Sequence, residues 1–311
     1  MSSSAASAGG SLRVITGPPG AGKSALVMAL AARAPITIVS ADSRQVYRGF
    51  DIGTAKPTPE ERARVPHEGL DLIAPAERYS AAAWAEAAGA AIERAHAAGR
   101  IPVIVGGTGF YIRALVAPLF AEPPLDPARR AALAAELASA GTDALRARVE
   151  RLDPARAQLG RAQLLRAVEV AELTGRPLSA WHAERAGAPP RRARYLVVDP
   201  GAALRNWIPA RVARMLDGGW PEEVRALLAS VPEEAPAWTA TGYEWVRDLV
   251  RGRVAREAAA EGITVATRQY AKRQRTWFRH QLAGERVTAL DPAAADAERR
   301  ALDWFLREDG A

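Results

Sequence analysis

The chain has 311 residues, 49% of them hydrophobic, enough to bury the core of one large domain or of two smaller ones. It has no cysteine, which excludes disulfides, thiolate metal sites and cysteine nucleophiles, and no run reaches the ~20 apolar residues of a membrane span. The net charge of +7 suggests a polyanionic partner. Residues 1–10 are rich in Ser, Ala and Gly and lack the pattern of a signal peptide, so we expect a disordered tail and a cytoplasmic protein.

The first predicted elements are a strand at residues 12–16, a glycine-rich loop and a helix at residues 25–33. The loop fits the phosphate-binding pattern G-x-x-x-x-G-K-S/T at every fixed position, and it consists of Gly17, Pro18, Pro19, Gly20, Ala21, Gly22, Lys23 and Ser24. Backbone N–H groups and the helix N-terminus bind an anion in this setting. Lys23 adds a positive charge and the Ser24 hydroxyl can ligate Mg²⁺, so we predict a phosphate site with Mg²⁺ as the cofactor.

Two further strands are predicted at residues 35–40 and 101–105, and each is followed by a polar group. Because ligands bind at the carboxyl ends of parallel strands, Asp42 is expected beside the phosphate loop, as a general base, a Mg²⁺ partner or a helix N-cap. Thr108 follows the second of these strands and is either a site hydroxyl or a helix cap. Many phosphate-loop NTPases place a Mg²⁺-holding Asp at such a strand end, and its absence argues against ATP hydrolysis.

The middle of the chain predicts a helical insertion in an α/β core. A proline-rich stretch at residues 118–127 marks a boundary, and residues 129–185 have apolar side chains at helical spacing. We therefore predict a P-loop NTPase-like parallel sheet core made of residues 11–120 and 195–311, interrupted by a mostly helical insertion domain at residues 121–194.

A basic helix is predicted at residues 266–279. Helical spacing aligns Arg268, Lys272, Arg275 and Arg279 on one face, which suits a polyphosphate or an RNA backbone. The alternative is an ordinary solvated helix. Lysine occurs only at Lys23, Lys56 and Lys272, which hints that these places need a compact ammonium group where arginine serves elsewhere.

Taken together, these stretches resemble the bacterial tRNA dimethylallyltransferases, the isopentenyl-diphosphate:tRNA isopentenyltransferase family. The resemblance covers nearly the whole chain after the first ten residues. It rests on the generic phosphate loop and on four more specific stretches: SADSRQVY at residues 40–47, DIGTAKP at 51–57, VGGTGFY at 105–111 and RQYAKRQ at 268–274.

The resemblance implies a reaction and roles for these residues. The phosphate loop is expected to hold the diphosphate of dimethylallyl diphosphate, with Mg²⁺, and the adenosine 3′ to the anticodon is expected to flip into a channel. Asp42 matches the general base for the adenine N6 amine, and Thr108 matches a residue that holds the reacting centre. The insertion and the basic helix are expected to grip the anticodon stem-loop of tRNA, and a monomer is expected. The residues assigned to tRNA are Asp42, Ser43, Arg44, Gln45, Thr108, Arg130, Gln163, Arg166, Arg268, Gln269, Lys272, Arg273 and Gln274.

Two departures from the family pattern stand outside the proposed catalytic centre. Leu159-Gly160 replaces a common Asn-Asp pair, and Glu244-Trp245 replaces Arg-Gln. Other classes remain open: a phosphate-loop kinase of small molecules, which would turn over ATP, and a prenyltransferase acting on free AMP, which would hardly need the insertion. A non-catalytic RNA-binding module leaves Asp42 and Thr108 without a use.

Overall fold

The computed structural model describes residues 10–117, 125–183, 190–282 and 286–307. These residues form two compact units: the first contains the residues up to 117 and from 190 onwards, and the second contains residues 125–183. Most of the predicted tail, at residues 1–9, and much of the proline-rich boundary, at residues 118–124, lie outside the described residues. Within the described ranges, no helix is both long and apolar enough to cross a membrane.

The first unit is built on a parallel sheet of six strands in the order β3-β2-β4-β1-β5-β6. The strands are β1 (Leu12–Thr16), β2 (Ile36–Ser40), β3 (His67–Glu68), β4 (Ile101–Gly106), β5 (Ala193–Val198) and β6 (Arg286–Leu290). The parallel core predicted from the sequence is confirmed. β6 was not predicted, because it is an edge strand in which only Leu290 is buried, so it lacks the apolar run of a central strand.

The described residues of the first unit also form helices. Before the second unit they are α1 (Lys23–Ala31), α2 (Pro59–Arg64), α3 (Ala81–Ala97) and α4 (Gly109–Val116). After it they are α9 (Leu204–Asp217), α10 (Trp220–Leu228), α11 (Tyr243–Val250), α12 (Arg256–Gln281) and α13 (Ala297–Leu306). Of these helices, α1, α3 and α13 pack on the strands. Ser80 caps α3, since its hydroxyl accepts a hydrogen bond from the backbone N–H of Ala83 at 3.0 Å.

Core packing holds the carboxyl ends of the central strands in place. Ile15, Val27, Leu196 and Phe305 are among the buried side chains packed between the sheet and helices α1 and α13. On α3, the buried Trp84 indole donates to the carbonyl of Ser40 at 3.0 Å, which holds the end of β2. The carboxyl ends of β1, β2 and β4 therefore meet at one fixed edge, where ligands bind in open α/β sheets.

The second unit contains α5 (Pro127–Leu137), α6 (Thr142–Leu152), α7 (Arg161–Thr174) and α8 (Leu178–Ala183). Its own core is formed by leucine and valine side chains such as Leu133, Leu145 and Val168. Helices were predicted at residues 129–185; α5 begins two residues earlier, at Pro127, and the other three helices lie within that stretch. The first unit resumes at Pro190, before the predicted residue 195, and its strand β5 begins at Ala193.

Candidate active site

The phosphate loop connects β1 to α1 and takes a conformation that requires glycine. Gly17, Gly20 and Gly22 have φ angles of 147°, 76° and 87°. A Cβ atom at Gly17 would lie 2.0 Å from the carbonyl oxygen of Val198, so the end of β5 also demands a glycine there. The loop thus leads directly into the N-terminus of α1, which begins at Lys23.

The Lys23 ammonium is folded back on its own loop. It donates to the carbonyl oxygens of Gly17 and Pro18, each at 2.8 Å. Burial, followed by the positive charge of Arg211, lowers the pKa of Lys23 from 10.5 to about 8, while Asp42 acts in the opposite direction. An anion in the loop would offer this ammonium a better partner than the two carbonyls.

Asp42 lies in a tight turn after β2. Its Oδ1 atom accepts from the backbone N–H of Arg44 at 2.8 Å, and the following residues form turns rather than a helix. The helix-cap interpretation of Asp42 is therefore wrong. The carboxylate is partly exposed and faces the cavity beside the phosphate loop.

Thr108 connects the ends of β2 and β4. Its Oγ1 atom accepts from the backbone N–H of Ser43 at 3.0 Å, and its own backbone N–H donates to the carbonyl of Ala41 at 3.0 Å. Thr108 precedes α4, yet its side chain makes no capping hydrogen bond. Thr108 thus occupies the N-cap position of α4, where its carbonyl accepts from the N–H of Ile112, but its hydroxyl holds the turn that carries Asp42 instead of capping the helix.

Gln45 and Arg44 complete this turn. The Gln45 Oε1 atom accepts from the Ser40 hydroxyl at 2.8 Å, and its Nε2 atom donates to the carbonyls of Thr54 and Ala55 at 3.1 and 3.0 Å. Both amide hydrogens of Gln45 are therefore used inside the protein. Arg44 donates to the Thr239 hydroxyl at 2.7 Å.

Two small cavities meet at Asp42. The first, of about 110 Å³, is lined by Lys23, Ser24 and Asp42 among others. The second, of about 80 Å³, runs from Asp42 toward apolar side chains that include Trp220 and Ile263. The carboxylate thus stands between the phosphate loop and a second chamber whose wall is partly apolar.

Arg211, on α9, lines both cavities and was not predicted from the sequence. Its guanidinium makes no hydrogen bond or ion pair with a described residue. Burial lowers the pKa of Arg211, and the Asp42 carboxylate partly offsets this. A largely desolvated guanidinium beside Lys23 is suited to a phosphate group.

The site offers few oxygen ligands to a metal. Ser24 is exposed and lines the same cavity as Asp42. Within the described part of the chain, no group of three or more His, Cys, Asp and Glu side chains could hold a metal ion. This donor set fits Mg²⁺, which usually keeps several waters and binds one or two protein oxygens together with substrate phosphates.

The inner face of α12 holds the Gly-Gly-Thr end of β4. Gln274 is buried and its Nε2 atom donates to the carbonyl of Gly107 at 2.6 Å, while the Trp277 ring occupies the space that a side chain at position 109 would need. Tyr270 lines the second cavity with Asp42, and burial, with the Asp42 charge, raises the pKa of its phenol to about 12.

The outer face of α12 carries part of the predicted basic surface. Arg268, Gln269, Lys272 and Arg273 are exposed. Arg275, aligned with them by periodicity, instead donates to the Asp199 carboxylate at 2.7 Å, so it does not belong to the solvent-facing set.

The predicted tRNA residues of the second unit have partners inside that unit. Arg130 and Arg166 both pair with the Glu169 carboxylate, and Gln163 accepts from the backbone N–H of Gly160 at 3.1 Å. More than half of the Arg130 side chain remains exposed, at 52%. The tRNA contacts assigned to these residues stay predictions.

The fold and the site define a P-loop protein in which an anion cradle faces a carboxylate. A model of the family described as IPP transferase matches residues 45–281. The chain is 43% identical to the tRNA dimethylallyltransferase of Deinococcus radiodurans, over 96% of this chain and 97% of that one, and 45% identical to that of Rhodospirillum centenum, over 94% and 95%. The chain belongs to the IPP transferase family.

Solved structures are similar as well. The tRNA isopentenylpyrophosphate transferase of Bacillus halodurans matches with a TM-score of 0.66 and 32% identity, over 94% of each chain. A eukaryotic dimethylallyltransferase acting on tRNA matches with a TM-score of 0.79 and 25% identity, over 95% of this chain and 79% of that one.

Proposed function

We propose that this protein transfers a dimethylallyl group from dimethylallyl diphosphate to N6 of the adenosine 3′ to the anticodon in tRNA, releasing diphosphate. The observation that carries this proposal is the position of Asp42. Its carboxylate lines one cavity with Lys23 and also lines a second cavity whose wall is partly apolar. The names of the relatives given above support the coarser statement of dimethylallyl transfer to tRNA.

The donor diphosphate is assigned to the phosphate loop. Backbone N–H groups, Lys23 and Arg211 surround the place where its negative charge grows as the allylic C–O bond breaks, and fixed positive charge there stabilises the transition state. Ser24, with Asp42 nearby, would hold Mg²⁺. When bound, the ion would neutralise part of the leaving diphosphate's charge.

The acceptor step needs a base, because an amine conjugated to a purine is a poor nucleophile. As the bond between N6 and the allylic carbon forms, the electron pair of the breaking C–O bond leaves with the diphosphate. Asp42 takes the proton from N6. Thr108 keeps the Asp42 turn in place through the Ser43 N–H group.

The apolar part of the second cavity suits the hydrocarbon end of the donor. Val212, Trp220 and Ile263 contribute to its wall. Apolar walls keep water away from an allylic carbon that would otherwise be hydrolysed.

The acceptor is assigned to tRNA because of the exposed cations of α12. A target base inside an anticodon loop must leave its stack, which costs a few kcal/mol. Phosphate contacts from Lys272 and Arg273 would offset part of that cost. We further propose a cytoplasmic monomer.

The test is incubation of the purified protein with labelled dimethylallyl diphosphate, Mg²⁺ and unmodified tRNA, with AMP as a parallel acceptor and ATP as a parallel donor. Label in the adenosine 3′ to the anticodon is the expected result. Label in AMP but not in tRNA would indicate the free-nucleotide prenyltransferase, and turnover of ATP alone would indicate the kinase.

A further inference from the structure

The loop between Phe50 and Pro57 forms a wall of both cavities at Asp42. Thr54 borders each of them, and Ala55 borders the one beside the phosphate loop. The loop has no regular secondary structure of its own, so its shape depends on side chains from elsewhere. One of these side chains, Glu223 on α10, has no assigned role in the reaction.

The Glu223 carboxylate accepts four hydrogen bonds. Its Oε2 atom accepts from the backbone N–H groups of Asp51 at 2.9 Å and Ile52 at 2.6 Å. Its Oε1 atom accepts from the Tyr243 hydroxyl at 2.6 Å and, at 3.5 Å, from the N–H of Gly53. Hydrogen bonds to an ionised acceptor are about twice as strong as neutral ones, so this carboxylate holds three consecutive residues of the loop.

Packing leaves the loop little freedom to move away from Glu223. A Cβ atom at Gly53 would lie 2.3 Å from the Trp220 indole nitrogen, so the backbone lies directly on that ring. On the other side of the loop, the Lys56 ammonium donates to the Tyr47 carbonyl and to the Asp51 carboxylate, each at 2.6 Å. The loop is held from both sides.

The loop in turn holds the turn that carries Asp42. The carbonyls of Thr54 and Ala55 accept both amide hydrogens of Gln45, whose Oε1 atom accepts from Ser40 at the end of β2. The side chain of Gln45 therefore spans the Asp42 turn and ties both of its ends to the loop. A shift of the loop would move Gln45 and, with it, the carboxylate.

We propose that Glu223 is a positioning residue for the transfer reaction, acting through the loop at residues 51–55 and Gln45 on the Asp42 turn. The inference rests on the proposed function, since Asp42 is taken as the base. It requires that loss of Glu223 slows the chemical step more than it weakens the binding of either substrate.

Glu223→Gln tests this with little change in size. The amide keeps one acceptor and presents an NH₂ group to N–H or O–H donors, which disrupts the contacts. Small misplacements remote from the reacting atoms can cost 10²-fold, so the single-turnover rate with saturating donor and tRNA should fall by about 10- to 100-fold. The KM for tRNA should change by less than about threefold.

Glu222→Gln is the matched control. Glu222 is the exposed neighbour, and its carboxylate pairs with Arg225 at 2.8 Å on the same helix. Its single-turnover rate should equal that of the wild type. Tyr243→Phe removes one of the four donors and should give a smaller loss, and it keeps the test decisive if Glu223→Gln does not fold.

A double-mutant cycle with Gln45→Ala identifies the route of action. If Glu223 acts through Gln45, the fold reduction in single-turnover rate of the double variant should be clearly smaller than the product of the two single-variant reductions. A wild-type rate in folded Glu223→Gln, or losses that multiply independently, would overturn the proposal. Absence of transfer to tRNA by the wild-type protein would instead refute the proposed function.

Discussion

The two sides of the candidate site are built in different ways. The anion side is one continuous segment, Gly17 to Ser24, in which neighbouring residues supply the turn, the cation and the hydroxyl. The base side is assembled from the ends of β2 and β4, the loop at residues 51–55 and the inner face of α12. The continuous segment makes its site from neighbouring residues. The assembled side depends on hydrogen bonds between segments that are distant in sequence.

The largest effect is expected at the base side. Asp42→Asn keeps the size of the side chain and removes the proton acceptor. General-base assistance is typically worth about 10²–10⁴-fold, so the single-turnover rate of transfer should fall by that factor, while donor and tRNA binding change far less.

Measurement of the Asp42→Asn rate across Mg²⁺ concentrations distinguishes a base from a metal ligand. Partial rescue at high Mg²⁺ would indicate that Asp42 acts mainly through the metal. A wild-type rate in the folded variant would end the assignment of Asp42 as the base.

On the anion side, Lys23→Ala should reduce transfer by about 10²–10³-fold or more, the range observed when one donor to a developing negative charge is removed. tRNA binding, measured separately, should persist, because Lys23 contacts its own loop and faces the small cavity. Near wild-type turnover would exclude the loop as the donor site.

Asp42 and Lys23, the residues of these two predictions, could both be named from the sequence, but by different kinds of pattern. The central strands are buried apolar runs and the phosphate loop is a fixed pattern, so both could be predicted without coordinates. Asp42 and Thr108 could be named as strand-end residues, but the Ser43 hydrogen bond that joins them spans 65 positions and no local pattern encodes it. Arg211 is one of 42 basic residues, and nothing in its neighbourhood distinguishes it.

The three lysines illustrate the same limit. Their rarity pointed to special places, and Lys56 is indeed buried, with 1% of its side chain exposed among Asp51, Asp71 and the Tyr47 carbonyl. Rarity did not distinguish this structural ammonium from Lys23 in the cavity or from Lys272, which is exposed. The contacts of each ammonium group in the structure are what distinguish the three lysines.

Arg211 provides a test of how far the anion side extends beyond the continuous motif. Arg211→Gln removes a desolvated positive charge from the wall of both cavities. Loss of a charge-assisted hydrogen bond of about 1.5–3 kcal/mol corresponds to a rise of roughly 10- to 150-fold in the KM for the donor. Exposed Arg214 on the same helix offers a control, and Arg214→Gln should have a clearly smaller effect.

The low pKa of Lys23 predicts that the binding of diphosphate depends on pH. In the protein without ligand, Lys23 loses its proton near pH 8, whereas a bound diphosphate favours the charged form and raises that pKa. Binding therefore takes up a proton above pH 8, so the Kd for inorganic diphosphate should rise by up to about tenfold per pH unit there.

Titration calorimetry of inorganic diphosphate from pH 7 to 10 measures this effect. Inorganic diphosphate also titrates in this range. The pH dependence of its binding to Lys23→Ala measures that contribution and is subtracted from the wild-type dependence. Identical pH slopes for the wild type and Lys23→Ala would show that Lys23 does not titrate in this range.

The smallest effects are expected on α12, where two kinds of arginine and lysine can be compared on one helix. Lys272 and Arg273 are exposed, whereas Arg275 is bonded to Asp199 and to the carbonyl of Gly201. Lys272→Ala and Arg273→Ala should each weaken tRNA binding a few-fold and reduce the slope of log Kd against log salt by about one. Arg275→Ala should leave that slope unchanged and instead lower stability by about 1 kcal/mol, since its ion pair is only partly buried.

Filter binding at several salt concentrations, beside melting curves, separates the two outcomes. An unchanged slope for Lys272→Ala and Arg273→Ala would make α12 an ordinary solvated helix. A slope change for Arg275→Ala would mean that RNA displaces Asp199.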